Sequence, residues 1–357
     1  MEIYVIGTFI SIVIACLIEV VVGFKTKKTI KMFISILPLT LISAFRYDVG
    51  WDYIKIYTNG FFYVGKYNTN WFSEYPFNLL VRILYNVFHD PLSLFIVMSL
   101  LTAFMFSKCF SVYGKDNHCF VYVILYVISR YYLASLNIMR QALSMMIVLY
   151  ALQYLYKKKL NKYVFLIILA SCFHMISIIY LPMYFILSRN ARKTKNILLF
   201  ILCVPILLVF IKYGMNLSKY AVYSNSMIGN DGSILYSELL LSLLIMLISA
   251  FMYKKIENDD MMIVFFNMEF ISCIIAIFSF ALPIADRIIW YFTMMNIFYI
   301  PLLLDNFKIK NNKLLFSIVI YGCFILVFVM QTYMVDSYSI LPYKNIIEVR
   351  SEEWWKR

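Results

Sequence analysis

Residues 3–24 read IYVIGTFISIVIACLIEVVVGF, and residues 25–31 read KTKKTIK. A helix needs about 20 mostly apolar residues to cross a bilayer, and the first stretch has that length with a single charge, Glu19. The N-terminus lacks a basic region and a small-residue cleavage site, so we expect a retained first span rather than a removed signal peptide. An apolar run closed by a basic cluster is typical of a span that ends on the cytoplasmic side.

The composition extends this pattern to the whole chain. Of its 357 residues, 63% are hydrophobic and 14% are charged, whereas a soluble domain carries roughly 25% charged residues. A soluble fold cannot bury that much apolar side chain, so lipid is the expected solvent. The lysines behind the net charge of +13 fall in short clusters between apolar runs, which argues against a nucleic-acid partner. The sequence therefore predicts an all-α polytopic integral membrane protein.

Apolar runs and basic loops together predict the topology. With a short helical hairpin included, we expect about 10–12 transmembrane helices in a single domain over residues 1–357. The predicted spans are 3–24, 29–45, 91–108, 118–135, 138–156, 196–212, 236–253, 261–281, 288–304 and 314–334. The basic, and therefore cytoplasmic, loops are 25–31, 108–118, 157–162, 189–195, 254–260 and 305–313. The outer segments are then 46–90, 213–235 and the C-terminal tail 335–357.

Residues 163–187 test this topology, because they lie between two basic loops, KKKLNK and SRNARK. Both loops favour the cytoplasm, yet the segment is too short for two full crossings, which need about 40 residues. We expect a pair of short helices that enters from the cytoplasmic side and turns near His174. The alternative is one long tilted helix that places the basic residues of 189–195 outside.

The outer segment 46–90 contains a stretch, 74–88, that is too short and too charged to span a membrane. Its apolar positions recur at helical spacing, at Leu79, Leu80, Ile83, Leu84 and Val87. This spacing predicts an amphipathic helix on the outer surface.

Several arginines stand at the predicted outer ends of spans, where positive charge is normally depleted. The planar guanidinium grips phosphate through two parallel hydrogen bonds, so an outward cluster indicates a phosphate-bearing ligand near the membrane surface. A single arginine at a span end often only reaches lipid phosphate, and this is the favoured interpretation for Arg82 and Arg130. Arg46, Arg140 and Arg287 differ, because each stands in a polar, turn-like stretch.

The stretch FRYDVGWDYIKIY, residues 45–57, places Asp48, Asp52 and several aromatic residues after Arg46. Aromatic faces next to carboxylates are typical of sugar sites, and the predicted sugar contacts here are Trp51, Tyr53 and Tyr57. The carboxylate of Asp52 can also accept a proton. The alternative is that the aspartates only neutralise Arg46.

Two further stretches, LNIMRQAL (136–143) and LPIADRIIWYF (282–292), share one arrangement. A residue that can cap a helix, Asn137 or Asp286, precedes an arginine in the first helical turn. Helix N-termini and arginine both favour anions, so a phosphate bound there would be stabilised. We assign the adjacent Gln141 and Asp286 to sugar contacts. The alternative for Arg140 is an ion pair with Asp48 or Asp52.

His174 is the remaining candidate for proton transfer. A lone histidine in an apolar run is more often a core residue, but this one falls at the predicted hairpin turn, and its pKa suits acid–base chemistry near neutrality. Asp52 and His174 therefore stay open as alternative general bases. The sequence has neither a nucleotide-binding glycine loop nor a His/Cys cluster nor a DxD pair, so we expect no metal and no cofactor.

Together these stretches resemble the bacterial repeat-unit polymerases of O-antigen (lipopolysaccharide), capsule and exopolysaccharide synthesis, the Wzy/EpsG type. Five stretches carry the resemblance, in the family's order: FRYDVGWDYIKIY, LNIMRQALSMMIVLYALQYLYKKK, ILASCFHMISIIYLPMYFIL, ADRIIWYF and LPYKNII. The resemblance implies a fold like that of the GT-C membrane glycosyltransferases. It also implies a location in the bacterial cytoplasmic (inner) membrane with an active site that faces outward.

The resemblance further implies a substrate, a reaction and partners. Oligosaccharide repeats on undecaprenyl pyrophosphate would be both donor and acceptor, with membrane lipid and a chain-length regulator protein as further candidate partners. Arg46, Arg140 and Arg287 would bind the donor pyrophosphate, and Asp52 or His174 would assist an inverting, metal-independent attack. A polysaccharide ligase and a flippase or transporter of the lipid-linked sugar are the alternatives. A membrane acyltransferase is less well supported, because no acyl-thioester site is evident.

Overall fold

The computed structural model describes residues 2–21, 26–115, 118–189, 232–278, 285–336 and 338–354. Throughout these ranges the regular structure is helical, which confirms the all-α prediction, and a single bridge pairs Arg46 with Asn345. The α-helices in chain order are α1 Glu2–Val21, α2 Lys28–Ser35, α3 Leu37–Ala44, α4 Asn59–Tyr67, α5 Tyr75–Phe88, α6 Leu92–Tyr113, α7 Cys119–Ile128, α8 Tyr131–Asn137, α9 Met139–Ala151, α10 Gln153–Tyr156, α11 Leu160–Ser171, α12 Tyr180–Leu187, α13 Gly232–Phe251, α14 Tyr253–Ile256, α15 Asp260–Phe278, α16 Ala285–Thr293, α17 Asn296–Asp305, α18 Lys310–Val329 and α19 Ile346–Trp354. Short π-helices cover Tyr53–Thr58 and Met330–Met334, and a 3-10 helix covers Met175–Ile179.

Several of these helices are long and apolar enough to cross a membrane, which confirms a polytopic membrane protein. Within the described ranges there are five, or six if the bent pair α7–α8 counts as one span: Glu2–Val21, Leu92–Tyr113, Asp260–Ile277, Arg287–Asp305 and Lys310–Met334. The predicted spans 29–45 and 138–156 are each divided between two shorter helices. The predicted span 196–212 lies outside the described residues, as do residues 213–231 of the predicted outer loop and residues 337 and 355–357 of the tail.

Two of the helix breaks have local causes. Pro38 stands at the start of α3, and because it lacks an N–H and fixes its own φ, α2 ends at Ser35. Between α7 and α8 the axis bends by 54° at Arg130, whose φ is +70°. That left-handed conformation costs roughly 1–2 kcal/mol for a residue other than glycine, so tertiary packing must maintain it. Arg130 is 1% exposed, so the predicted contact of this side chain with lipid phosphate is wrong.

The predicted hairpin is present. α11 ends at Ser171, the chain turns through Cys172–His174, and the 3-10 helix and α12 return. The return is antiparallel, because the hydroxyl of Tyr163 donates to the carbonyl oxygen of Tyr180 at 2.6 Å and the Tyr163 ring lies 5.2 Å from that of Tyr184. Two flanking basic loops and too few residues for two crossings were therefore enough to predict this element.

The amphipathic helix predicted at 74–88 is α5, Tyr75–Phe88. Its apolar residues form two faces: Phe77, Val81 and Leu84 are buried, whereas Leu79, Ile83 and Val87 are exposed. Arg82 donates to the carbonyl oxygens of Asn68 and Thr69 and to the side chain of Asn70. The guanidinium therefore closes the loop before the helix, and its contact with lipid phosphate stays a prediction.

The chain divides into two compact units. The first contains Met1–Tyr150, Leu169–Met175 and Met330–Arg357, and the second contains Ala151–Ile168 and Ile176–Val329. In the first unit α1 packs against α2, α3 and α7, and α6 packs against α2 and α3. In the second unit α15 packs against α13, α16 and α12, and α13 also contacts α18.

The first unit has two distinct ends, separated by the length of α6. At one end Lys28 Nζ donates to the carbonyl oxygen of Gly114 at 3.1 Å, and the Glu19 carboxylate accepts the backbone N–H of Cys119. These residues border the predicted cytoplasmic loops 25–31 and 108–118. At the other end Phe45–Gly50 meets the C-terminal segment, and both were predicted to face outward. Which of these two ends faces the cytoplasm stays a prediction.

Candidate functional site

The turn at residues 45–50 is held by the C-terminal segment through backbone hydrogen bonds. The N–H groups of Tyr47, Gly50 and Ile346 donate to the carbonyl oxygens of Lys344, Ser339 and Phe45, each at 2.9 Å. Gly50 has φ +97°, and a Cβ there would lie 3.1 Å from the carbonyl oxygen of Leu136. Only glycine fits this conformation and this close approach. The first, second and fifth stretches of the resemblance are therefore adjacent.

Asp52 and Asn137 connect the first two stretches directly. The Asn137 Oδ1 accepts the backbone N–H of Asp52 at 3.0 Å, and Asn137 is the last residue of α8. The sequence suggested that this side chain caps α9. In the structure it instead holds the loop that carries Asp52.

Tyr57 is the point at which Asp52 and Arg140 approach each other. Burial raises the pKa of the Tyr57 hydroxyl to about 12; Arg140, which also hydrogen bonds to Tyr57, opposes this shift, and Asp52 adds to it. The hydroxyl is thus neutral at physiological pH. A carboxylate and a guanidinium from separate stretches both lie in its surroundings.

Arg140 forms an ion pair with Glu74, a residue that sequence reasoning missed. The guanidinium lies over the rings of Phe72 and Phe77, 5.0 and 5.4 Å from their centroids. The Glu74 side chain is 2% exposed and that of Arg140 is 14% exposed. Glu74 stands at the N-cap position of α5, where an acidic residue suggests a capping role, but its side chain makes no capping hydrogen bond.

Glu74 also reaches the tip of the hairpin. Its Oε1 accepts the backbone N–H of Met175 at 3.1 Å, and Phe173 packs edge-on against Phe77. His174, which lies between Phe173 and Met175 in the chain, is 4% exposed. One carboxylate therefore links Arg140 of the second stretch to the His174 turn of the third.

Arg46 occupies an enclosed position in the same unit, 1% exposed. Its guanidinium donates to the carbonyl oxygen of Ser43, lies 4.8 Å from the centroid of Phe95, and has Nη2 3.8 Å from the Sδ of Met139. It is therefore next to the residue that precedes Arg140, but surrounded by aromatic and sulfur groups.

The predicted sugar contacts differ in exposure. Trp51 is 58% exposed, with Lys55 Nζ 5.8 Å from its ring centroid. Tyr53, Tyr57 and Gln141 are buried, and Tyr53 is stacked flat on Phe95 at 4.2 Å. Trp51 is thus the most accessible of these four side chains.

Arg287 belongs to the second unit. It is half-buried in the first turn of α16, which begins at Ala285. The side chain of Asp286 lies outside the described residues. The first unit therefore contains Arg46, Asp52, Arg140 and His174, and the second contains Arg287. The assignment of all five to one site stays a prediction. Nowhere in the described ranges do three His, Cys, Asp or Glu side chains converge as metal ligands would.

A family model described as the EpsG family matches residues 29–345. The match contains the first four stretches of the resemblance and most of the fifth, LPYKNII. No curated protein and no solved structure matches the chain. Because the matched region covers nearly the whole sequence, the chain belongs to the EpsG family, a Wzy-like polymerase family with a polysaccharide polymerase-like role.

Proposed function

We propose that this protein is a membrane glycosyltransferase of the EC 2.4 class that joins oligosaccharide repeat units carried on undecaprenyl pyrophosphate. It works at the outer face of the bacterial cytoplasmic membrane. Membership of the EpsG family supports the polymerase role, and one observation supports the site. Glu74 joins the guanidinium of Arg140 to the turn that carries His174, at the end of the first unit that also carries Asp52.

The proposed step is a displacement at the anomeric carbon of the donor. A hydroxyl oxygen of the acceptor repeat forms a bond to that carbon, and the bond from the carbon to the pyrophosphate oxygen breaks. The pyrophosphate leaves on its lipid with the electron pair, and the hydroxyl proton passes to a base. In-line attack inverts the anomeric carbon. Because the charge of the leaving group is spread over two phosphates, guanidinium contacts suffice and no metal is required in this scheme.

Arg140 is the first candidate for the diphosphate. Its side chain is 14% exposed, and Glu74 and two aromatic rings fix its orientation before any ligand arrives. A hydrogen-bond donor that is already oriented stabilises developing charge without reorganisation. Arg46 and Arg287 complete the proposed arginine set. Arg46 contributes charge from an enclosed position, and Arg287 is included because of the resemblance alone.

Asp52 and His174 are the two candidates for the base. Asp52 lies in the turn beside Tyr57, and His174 lies at the hairpin tip that Glu74 anchors. The pH dependence of the rate separates them. Whichever residue is the base, replacing it by asparagine removes the acidic limb of the pH–rate profile, while the same replacement of the other leaves that limb in place.

A cell that lacks the gene tests the function. We expect long polymer to disappear and single lipid-linked repeats to accumulate at the outer face of the membrane. A flippase mutant would instead strand the repeats inside, and a ligase mutant would retain long polymer on its lipid carrier. Either of these outcomes contradicts the proposal. Complementation with the wild-type gene and with Arg82→Ala, which lies outside the site, should restore the polymer.

A further inference from the structure

A cleft of about 520 Å³ opens in the first unit, beside the turn that carries Asp52. Its walls come from the segment that runs from the turn into α4, from the junction of α5 and α6, and from α19. The lining residues are Tyr47, Tyr53, Ile54, Thr58, Phe62, His89, Asp90, Pro91, Leu92, Ile346, Val349 and Arg350. Cavities of this volume are typical of small-molecule sites and have room for roughly two or three sugar rings.

The walls of the cleft are tied together by fixed contacts. Backbone hydrogen bonds join Tyr47 to Lys344 and Ile346 to Phe45, so the turn and the start of α19 move as one piece. The wall at the junction of α5 and α6 is joined to α19 by a side-chain ion pair between Arg350 and Asp90. The cleft is thus formed before a ligand enters, which lowers the entropic cost of binding.

The polar groups of the cleft are oriented. Asp90 Oδ1 accepts the N–H of Leu92, the first residue of α6, at 2.9 Å, and Asp90 Oδ2 accepts from Arg350 Nη2 at 2.6 Å. One carboxylate is therefore fixed to a helix end and in turn aligns a guanidinium. The Asp90 and Arg350 side chains remain 33% and 48% exposed, so both can also contact a ligand.

The chemistry of this lining favours sugars over phosphate. Asp90 offsets the charge of Arg350, which leaves acceptors and donors for hydroxyl groups but no net positive field. Phe62 is 41% exposed and can pack against the C–H face of a sugar ring. A carboxylate–guanidinium pair can hydrogen bond to hydroxyl groups, and an accessible aromatic ring can pack on a sugar ring, so together they suit a hydroxyl-rich ligand.

We propose that this cleft binds the terminal two or three sugars of the acceptor glycan, an assignment that rests on the proposed function. Tyr47 and Tyr53, which line it, flank Asp52 in the chain, and Asp52 is a candidate base for the acceptor hydroxyl. The acceptor end is therefore the part of the substrate that belongs next to this turn.

The test measures binding of lipid-free oligosaccharide to the full-length protein in nanodiscs, by saturation-transfer difference NMR. The probe is the oligosaccharide that mild acid releases from the lipid-linked repeats of the deletion strain. We expect Phe62→Ala and Arg350→Ala each to weaken binding about tenfold or more, as loss of a contact to a charged group or an aromatic ring does. Tyr67→Ala is the matched control, because this exposed aromatic of α4 does not line the cleft.

The outcomes separate this proposal from the function on which it rests. If Phe62→Ala and Arg350→Ala bind like the wild type, the cleft assignment is overturned. The assignment also fails if the wild-type preparation forms polymer but does not bind the oligosaccharide, and in that case the proposed function stands. A preparation that neither binds the oligosaccharide nor forms polymer from lipid-linked repeats overturns both. Arg140→Ala should bind the probe like the wild type, because the probe carries no pyrophosphate.

Discussion

Two buried carboxylates, one in each unit, stand in contrasting surroundings. Glu74 in the first unit pairs with Arg140 and accepts the backbone N–H of Met175, so it connects three separate segments. Glu269 in α15 of the second unit is 0% exposed and accepts from Asn296 Nδ2 at 2.9 Å. Among the described lysines and arginines, none forms an ion pair with Glu269.

The difference indicates what each carboxylate does. Glu74 fixes a cation that remains partly exposed, so a second anion can share the guanidinium. Glu269 is enclosed and its hydrogen-bond partners are uncharged side chains, an arrangement that specifies how neighbouring helices pack. We infer that burial of a carboxylate does not identify a catalytic site in this protein. In the proposed function, the two carboxylates are distinguished by their partners and by whether a ligand can reach those partners.

The largest expected effect is that of Arg140→Ala. Removing a preorganised electrostatic contact typically lowers the rate by about 10²–10³. Long polymer should disappear from complemented cells while the variant still inserts into the membrane, as measured by gel analysis of the glycan and immunoblot of the membrane fraction. Arg82→Ala, an arginine of α5 whose partners are loop oxygens, is the matched control. If Arg140→Ala makes polymer of normal length, Arg140 is not needed for the reaction, and the proposed difference between Glu74 and Glu269 is wrong.

Glu74→Gln should have the next largest effect. The change leaves Arg140 without its anionic partner and weakens the anchor of the hairpin tip, so we expect kcat to fall by about 10- to 100-fold. Glu74→Asp, which keeps the charge, should recover part of the activity. If Glu74 were merely structural, thermal stability would have to rise together with the activity. Wild-type kinetics in Glu74→Gln would show that the ion pair is incidental.

Gly50→Ala tests the turn on which Asp52 depends. The residue needs a positive φ and approaches the backbone of α8, so alanine should destabilise the detergent-solubilised protein by about 1–2 kcal/mol. Gly322→Ala in α18 is the control, because a Cβ there meets nothing within 4 Å. Thermal unfolding followed by fluorescence should show a lower Tm for the first variant alone. Equal Tm values would contradict the close approach of the turn to α8.

Glu269→Gln should have the smallest effect. The glutamine oxygen can still accept from Asn296, so activity should stay close to wild type, and the free energy of unfolding should change by no more than about 1 kcal/mol. Glu74→Gln and Glu269→Gln are therefore the same chemical change with different expected effects on activity. A loss of polymer from Glu269→Gln comparable to that from Glu74→Gln would mean that both carboxylates serve the reaction.

Much of the fold followed from local sequence. Hydropathy and charge predicted the membrane class, loop charge and length predicted the hairpin at 163–187, and helical spacing predicted α5. The helix breaks at Ile36 and Arg130 were missed. In the first case Pro38 lies inside an otherwise apolar run, and in the second a left-handed arginine leaves no sequence signal.

The candidate site was predictable only in part. The arginines stood out because they violated the charge distribution of a membrane protein, but their partners did not. Glu74 and Arg140 are 66 residues apart, so no periodicity connects them. The stacking of Tyr53 on Phe95 also joins residues that are distant in sequence, so this packing could not be foreseen, and the role of Tyr53 as a sugar contact stays a prediction.

Binding of undecaprenyl pyrophosphate to the purified protein tests the central claim most directly. Titration of the wild type and of Arg140→Ala in nanodiscs, with undecaprenyl monophosphate as the reference ligand, isolates the contact to the diphosphate. We predict that the wild type prefers the diphosphate and that Arg140→Ala binds it about 10- to 100-fold more weakly. Equal affinity of the two proteins for the diphosphate would contradict the assignment of Arg140.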